Sequence, residues 1–290
     1  MKRTVLMSLS LLVLLPLAAC NRPASAPQAD ANAPATPAAD AKPSAAAEAA
    51  AAAANSGAMP TDDATAAAAS TPNPAADAAV DAVAQASTGT PLVAGTDYVL
   101  IQGGQPYAPL NGKIEVVEVF NFICPACARF EPLLSEWARK LPADVRLTYV
   151  PADFNATWRP YAQAYLVADA MGLDAKSHEA VFNAIHLAHT LPGETDKSDD
   201  AKIGAFYAKY GTDAKQFVDA MHSFAVDAKL KRAKQFMLAS GVEGTPTIIV
   251  NGKYRVTGQG DEDVLRITNQ LIAQERAAAS GTEGAAAAGR

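Results

Sequence analysis

The apolar positions of this chain change their spacing near residue 124. Residues 114–123 form a short apolar run rich in β-branched side chains, which is typical of a buried strand. Beyond residue 127 the apolar positions recur at helical spacing, which predicts an amphipathic helix. These positions are Phe130, Leu133, Leu134 and Trp137. Cys124 and Cys127 therefore lie where a predicted central strand turns into a helix.

Further elements are predicted on both sides of this junction. Apolar runs predict strands at 98–101, 145–150, 245–250 and 254–257. The last two flank Asn251-Gly252, which is a strong hairpin signal. Residues 157–241 have no strand pattern and predict helices at 158–171, 175–189, 199–210, 213–222 and 224–240. A last helix begins at Asp261, a good N-cap residue, and runs to about residue 277. This order predicts an α/β fold that an all-helical segment interrupts.

The first residues have the parts of an export signal. Lys2 and Arg3 precede an apolar core at 5–17, and small residues follow. The sequence Leu-Ala-Ala-Cys at 17–20 resembles a bacterial lipobox, which implies a signal peptide at 1–19 and a diacylglyceryl group on Cys20. The alternative is an ordinary signal peptide with a chance cysteine. Asn21 stands where lipoproteins of the inner membrane have aspartate, so the outer membrane is slightly favoured.

Composition divides the remaining chain. Residues 20–92 are rich in Ala and Pro and have few large apolar side chains, which predicts a disordered linker. Residues 278–290 predict a disordered tail of small residues. The segment between them is long enough for one domain with an insertion. The net charge of −6 argues against binding of nucleic acid and against electrostatic binding to membranes.

The two cysteines of the CxxC sequence have unequal expected environments. Pro125 suits the first helical position, so Cys124 falls at or beside the N-cap. The unpaired N–H groups and the helix dipole there stabilise a thiolate, which lowers the expected pKa of Cys124. Cys127 lies about one turn deeper and is expected to be a buried resolving thiol. A static disulfide is the structural alternative, although so short a loop would stabilise the fold little.

Two motifs around the helical segment carry a family resemblance. One is Val-Val-Glu-Val-Phe at 116–120, which leads into Cys-Pro-Ala-Cys at 124–127. The other is Gly-Thr-Pro-Thr at 244–247, which leads into the Asn-Gly-Lys-Tyr hairpin at 251–254. Over about residues 95–276 the chain resembles DsbA-type thiol:disulfide interchange proteins. The resemblance implies a thioredoxin fold at 93–155 and 242–277, with an inserted helical domain at 156–241.

The resemblance also implies roles for three residues outside the CxxC sequence. Pro246 is expected to be cis and to pack against the cysteines, and the backbone of Thr245 is expected to pair with extended substrate. Glu118 shares a strand face with Phe120, and family members carry a buried acid here that moves protons for the deeper cysteine. Burial would raise the pKa of Glu118. The alternative for Pro246 is a simple proline at the start of a strand, and the alternative for Glu118 is an exposed glutamate. Tyr149 stands where the family has a lysine near this acid.

Ala126 is the main departure from the family pattern. Strong oxidants of this family have histidine at this position, where it stabilises the thiolate. Alanine can donate neither a hydrogen bond nor a charge. We therefore expect a milder oxidant than the type member of the family.

The sequence as a whole predicts a protein-disulfide oxidoreductase of the bacterial periplasm, anchored to a membrane by lipid. It would exchange the Cys124–Cys127 disulfide with cysteines of exported proteins, as a monomer and without a cofactor or metal. The resemblance implies reoxidation by a membrane partner of the DsbB type. Two alternatives stay open: a reductase or isomerase that uses the reduced pair, and a lipoprotein that only binds clients. The histidines at 178, 186, 189 and 222 are expected to be surface or satisfied core residues.

Overall fold

The computed structural model describes residues 73–288, with side chains to residue 280. The predicted signal peptide, Cys20 and the linker up to residue 72 lie outside the described residues. The described helices are α1 (Pro74–Ala86), α2 (Pro125–Arg139), α3 (Arg159–Ala170), α4 (Asp174–His186), α5 (Asp200–Ala208), α6 (Ala214–Met221), α7 (Phe224–Ala239) and α8 (Asp261–Ala288). The strands are β1 (Tyr98–Leu100), β2 (Ile114–Phe120), β3 (Val145–Pro151), β4 (Thr247–Val250) and β5 (Tyr254–Val256).

The five strands form one mixed sheet in the order β1-β5-β4-β2-β3. Strand β2 pairs in parallel with β3 and antiparallel with β4. All seven residues of β2 are buried, including Glu115 and Glu118. The predicted thioredoxin fold with a helical insertion is confirmed, since α3 to α7 lie between β3 and β4.

The β4–β5 hairpin forms at the predicted dipeptide. Asn251 and Gly252 have φ angles of 50° and 66°. Positive φ at both central residues is the signature of a type I′ turn, which asparagine and glycine tolerate best. A Cβ on Gly252 would lie 2.0 Å from the backbone oxygen of Gln105, so the packing of this turn also requires glycine.

Two apolar clusters cover the sheet. Val116, Ile248 and Val250 pack with α1, α2 and α8. Val117, Val119 and Ile249 belong to a second cluster, which includes the apolar side chains of the helical insertion. The insertion is thus continuous with the sheet core, and its helix α4 also contacts α2. Residues of the insertion can therefore reach the CxxC region.

The prediction of a disordered linker at 20–92 is wrong for its last part, because α1 occupies residues 74–86. Asn73 caps this helix by accepting from the backbone N–H groups of Ala75 and Ala76. Val80 and Val83 are each 3% exposed and pack with the apolar side chains of α2 and α8. Tertiary contacts thus give a partner to an apolar stripe that is weak on its own.

The C-terminal end of the chain also differs from the prediction. Helix α8 does not end near residue 277 but continues to Ala288, so the disordered tail predicted at 278–290 is wrong for most of its length. Alanine is frequent there and has the best helix propensity, which favours continuation of the helix. Among residues 73–288, no helix combines the length and the apolar composition that crossing a bilayer requires.

Candidate active site

The turn from β2 into α2 is braced by a buried asparagine. The side-chain amide of Asn121 donates to the carbonyl oxygens of Ala152 and Trp158 at 2.7 and 3.0 Å. Its Oδ1 accepts from the backbone N–H of Ile123 at 3.0 Å. Sequence reasoning missed this residue, although a polar side chain inside an apolar run was a visible signal. Asn121 fixes the chain at the point where Cys124 enters the helix.

Cys124 is the N-cap residue of α2, as predicted. Its Sγ accepts from the backbone N–H of Cys127 at 3.4 Å and lies 3.5 Å from the carbonyl oxygen of Thr245. A hydrogen bond from the Cys127 thiol is the largest cause that lowers the pKa of Cys124, to about 5. Burial acts in the opposite direction, and hydrogen bonds from backbone N–H groups add to the lowering. The Cys124 sulfur is therefore a thiolate at neutral pH.

Cys127 has the opposite character. It is completely buried, and burial raises the pKa of its thiol far above the ordinary value. The hydrogen bond to Cys124 and the charge of Glu118 raise this pKa further. Both cysteines are unbonded, so the structure describes the dithiol form of the pair. In this form one sulfur is a reactive thiolate and the other holds its proton.

Thr245 and Pro246 lie beside the cysteines, at the start of β4. The Thr245–Pro246 peptide bond is cis, as predicted. The 3.5 Å approach of Cys124 Sγ to the Thr245 carbonyl shows that this loop and the CxxC sequence meet in space. Both residues are half-buried, which leaves part of the loop accessible next to Cys124.

The two residues between the cysteines bring no polar side chain to the site. Pro125 is exposed at the start of α2, and Ala126 is half-buried against the core that contains the cysteines. The low pKa of Cys124 therefore arises without any side-chain donor from this dipeptide.

Glu118 is 1% exposed, so the prediction of a buried acid is confirmed and the exposed alternative is wrong. Its register partner on β3 is Tyr149, at the position where the resemblance implies lysine. Burial raises the pKa of Glu118, the charge of Glu131 raises it further, and the charge of His178 opposes the rise. The carboxyl group of Glu118 is thus disposed to hold a proton.

Glu131 and His178 were not predicted as parts of this site. Glu131 lies one turn beyond Cys127 on α2, and it is 4% exposed. His178 lies on α4, also 4% exposed. A weak signal existed for each, because Glu131 follows Cys127 at helical spacing and His178 follows Asp174 by four residues. Only the packing of α4 on α2 brings them together.

Two of the other described histidines, His186 and His222, have partners that fit the structural interpretation. The ring Nε2 of His186 lies 2.7 Å from the carbonyl oxygen of Phe122, just before Cys124. His222 pairs with Asp200 on the exposed surface of the insertion. We assign neither of them a role in the chemistry of the cysteines.

Comparison with known proteins agrees with this geometry. Residues 104–270 match the family model described as Thioredoxin. The thiol:disulfide interchange protein DsbA of Pseudomonas aeruginosa is 39% identical over 189 residues, which cover 64% of this chain and 87% of that protein. The chain belongs to the DsbA family of thiol:disulfide interchange proteins. It is accordingly a protein-disulfide oxidoreductase with a role in oxidative folding.

Further members of the DsbA family agree in sequence and in structure. DsbA of Pseudomonas syringae pv. tomato is 40% identical over 197 residues, which cover 67% of this chain and 89% of that protein. The crystal structure of the oxidoreductase DsbA from Xylella fastidiosa matches this structure with a TM-score of 0.62, and the two sequences are 45% identical. That comparison covers 64% of this chain and 98% of the Xylella chain. Helix α1 precedes the residues that the family model matches.

Proposed function

We propose that this DsbA-family protein donates its Cys124–Cys127 disulfide to cysteines of exported proteins. The observation that carries this direction is the contrast between the two thiols of the reduced form. A thiolate with a pKa of about 5 stabilises the reduced protein, and a stabilised reduced form makes the pair more oxidising. Such a pair tends to give its disulfide to a substrate.

The proposed reaction has two exchange steps. A substrate thiolate attacks Cys124 Sγ, the Cys124–Cys127 bond breaks, and Cys127 leaves as a thiolate that takes a proton from the Glu118 carboxyl group. A second substrate thiolate then attacks the substrate sulfur of the mixed disulfide, and Cys124 leaves as a thiolate. The substrate is oxidised by two electrons, and the Cys124–Cys127 pair is reduced by two.

Each residue of the site has a part in this proposal. Cys124 is the sulfur that the substrate attacks, and Cys127 is the leaving group. Glu118 exchanges the proton of Cys127, which is consistent with the effect of its charge on the pKa of that thiol. Thr245 and the cis Pro246 offer backbone beside Cys124 for an extended substrate segment. Pro125 and Ala126 set the start of α2 and tune the potential.

A location and partners also belong to the proposal. The leader sequence supports export to the periplasm, and the lipobox-like residues 17–20 support lipidation of Cys20, with the outer membrane favoured by Asn21. The linker up to α1 would tether the catalytic domain to the membrane. A DsbB-type membrane protein would reoxidise the pair, and the chain would act as a monomer.

The reduction potential of the Cys124–Cys127 pair tests the proposed direction. The full mature protein would be equilibrated with glutathione buffers, and the oxidised fraction would be measured. A value toward about −120 mV supports a disulfide donor, whereas a value near about −270 mV supports the reductase alternative. The alanine at position 126 favours the reductase alternative, since it cannot donate a hydrogen bond to the Cys124 thiolate as the histidine of strong oxidants can.

The client-binding alternative needs a different measurement. The Cys124→Ser variant would be compared with the wild type in the refolding of a reduced client protein. We expect the variant to lose disulfide formation in the client. Unchanged recovery of the client would mean that binding, and not thiol exchange, is the activity.

A further inference from the structure

Four buried or half-buried ionisable groups meet below the cysteines, and they come from three different elements. His178 on α4 places Nδ1 2.8 Å from Oδ1 of Asp174 and Nε2 3.6 Å from Oε2 of Glu131. Glu131 belongs to α2, the helix that Cys124 caps, and Glu118 belongs to β2. Glu118 lies opposite Tyr149 on the neighbouring strand, and the Tyr149 ring lies 4.4 Å from the His178 ring. The charges of Glu131 and His178 both affect the pKa of Glu118. We call these four residues the acidic cluster.

Five aromatic side chains pack around His178. Its ring centroid lies between 4.4 and 6.1 Å from the ring centroids of five side chains. They are Phe120, Phe122, Tyr149, Tyr165 and Phe182. Water screens charges poorly in such an environment, so each charge of the acidic cluster strongly affects the others. The tyrosine hydroxyls of Tyr149 and Tyr165 keep their protons, because burial raises the pKa of both.

His178 is the side chain of the acidic cluster that can carry a positive charge. Three carboxyl groups face one imidazole, and Oε2 of Glu118 has no hydrogen-bond partner. Burial by itself lowers the pKa of His178, but Asp174 and Glu131 outweigh burial and raise it well above the ordinary value. Lysine is absent from the position opposite Glu118, where Tyr149 stands. Asp174 and Glu131 both pair with His178.

We propose that His178, a residue of the helical insertion, supplies the positive charge that allows Glu118 to exist as a carboxylate and so to exchange the proton of Cys127. His178 is a positioning residue, because it acts on the sulfur through Glu118 and does not touch the substrate. This inference rests on the proton exchange by Glu118 that is part of the proposed function. It links the helical insertion to the chemistry of the thioredoxin fold.

The effect is clearest when the reduced pair is oxidised. With oxidised glutathione, the Cys124 thiolate attacks one sulfur and expels glutathione thiolate, which leaves a mixed disulfide on Cys124. Glu118 carboxylate then takes the proton of Cys127, and the Cys127 thiolate attacks Cys124 Sγ and releases a second glutathione thiolate. Closure of the disulfide thus requires deprotonated Glu118. Loss of the His178 charge makes that carboxylate harder to form.

The pH profile of disulfide closure tests the proposal in the His178→Gln variant. Rapid mixing with oxidised glutathione would resolve the release of the second glutathione. We expect the pH range over which the closure rate rises to shift to higher pH by about one unit. At a given pH within this range, closure should therefore be about tenfold slower than in the wild type. The matched control is His222→Gln, because His222 also pairs with an aspartate but lies on the exposed surface. This control should keep the profile of the wild type.

A double variant separates an electrostatic role from a merely structural one. Glu118→Gln should slow closure and remove the pH dependence that Glu118 causes, and addition of His178→Gln should then shift nothing further. If His178→Gln causes no shift, or the same shift without Glu118, the proposal about His178 is overturned while proton exchange by Glu118 stands. If Glu118→Gln itself leaves the profile unchanged, proton exchange by Glu118 fails, and the inference about His178 fails with it.

A measurement on the wild type covers the case in which His178→Gln does not fold. Nitrogen NMR of the imidazole rings in the reduced protein reports directly whether a histidine carries two protons. We expect the His178 ring to be doubly protonated at neutral pH, whereas the exposed His222 serves as a reference ring. A neutral His178 ring at neutral pH would overturn the proposal without any variant.

Discussion

At the scale of the residue, the chemistry of this protein depends on the difference between two neighbouring thiols. Cys124 lies at a helix N-terminus, where backbone N–H groups and the Cys127 thiol lower its pKa to about 5. Cys127 is fully buried, and its pKa is raised. Because only the thiolate is a good nucleophile, the structure selects Cys124 as the sulfur that reacts with other proteins.

The pH dependence of alkylation should follow from this difference. In the reduced protein, we expect the rate of Cys124 alkylation by iodoacetamide to rise as the pH passes about 5 and then to level off, because the thiolate is fully formed above this pKa. Removal of the hydrogen-bond donor in Cys127→Ala should move this midpoint upward. A midpoint near the ordinary thiol value of 9.0 in the wild type would contradict the assignment.

Ala126 gives a second prediction at this scale. We expect Ala126→His to raise the reduction potential by about 30 mV, which corresponds to about a tenfold change in the equilibrium with glutathione. The reason is that imidazole can stabilise the Cys124 thiolate by charge or hydrogen bond. Ala143→His, in the exposed turn before β3, is the control for adding a histidine elsewhere. Equal potentials in Ala126→His and the wild type would refute the explanation.

At the scale of the element, helix α1 lies in front of the residues that match the family model. It packs against α2 and α8 through Val80 and Val83, and Lys140 at the end of α2 forms ion pairs with Asp77 and Asp81 of α1. These ion pairs are largely exposed, so the apolar contacts contribute most of the stability of the packing. Because Cys124 is the N-cap residue of α2 and Cys127 lies in its first turn, α1 supports the helix that carries the site.

The contribution of α1 can be measured by shortening its buried side chains. We expect the double variant Val80→Ala/Val83→Ala to lower the free energy of unfolding by about 2–4 kcal/mol, because two buried side chains lose their contacts. The matched control is Val93→Ala, since Val93 is 55% exposed and should have little effect. Urea unfolding of all three proteins gives the comparison. Equal stability of the double variant and the control would show that α1 does not pack on the domain in solution.

At the scale of the whole molecule, the proposal joins a folded oxidoreductase to a membrane through a lipidated N-terminus. Cys20 and the linker lie outside the described residues, so this part of the proposal depends on the sequence. A diacylglyceryl group has two acyl chains, and two chains are enough for stable anchoring. The fold itself needs no membrane contact for the chemistry proposed at Cys124.

Substitution of Cys20 tests this arrangement in cells. We expect Cys20→Ser to release the mature protein from the membrane fraction, because the sulfur that carries the lipid is lost. The rate of disulfide exchange by the purified protein should stay within about twofold of the wild type, since Cys20 is remote in sequence from the CxxC pair. Persistence of the variant in the membrane fraction would refute lipidation as the means of anchoring.

The sequence by itself determined the fold class, the reactive pair and most of the elements between β1 and α8. Hydrophobic spacing is a local property, so it revealed β2, α2 and the junction that holds Cys124 and Cys127. Turn chemistry is local as well, which is why Asn251-Gly252 predicted the hairpin. The family resemblance implied a buried acid at Glu118, and the structure shows this residue to be 1% exposed.

Only the tertiary structure decided which distant residues meet. Glu131 and His178 belong to different helices, and the packing of α4 on α2 brings them within 3.6 Å of each other. Helix α1 likewise gains its stability from partners remote in sequence, so its composition alone predicted disorder. Local patterns state which face of an element is apolar, but they do not specify which other element will cover it. That choice depends on the packing of the whole chain, and here it brings the charge of His178 within reach of Glu118.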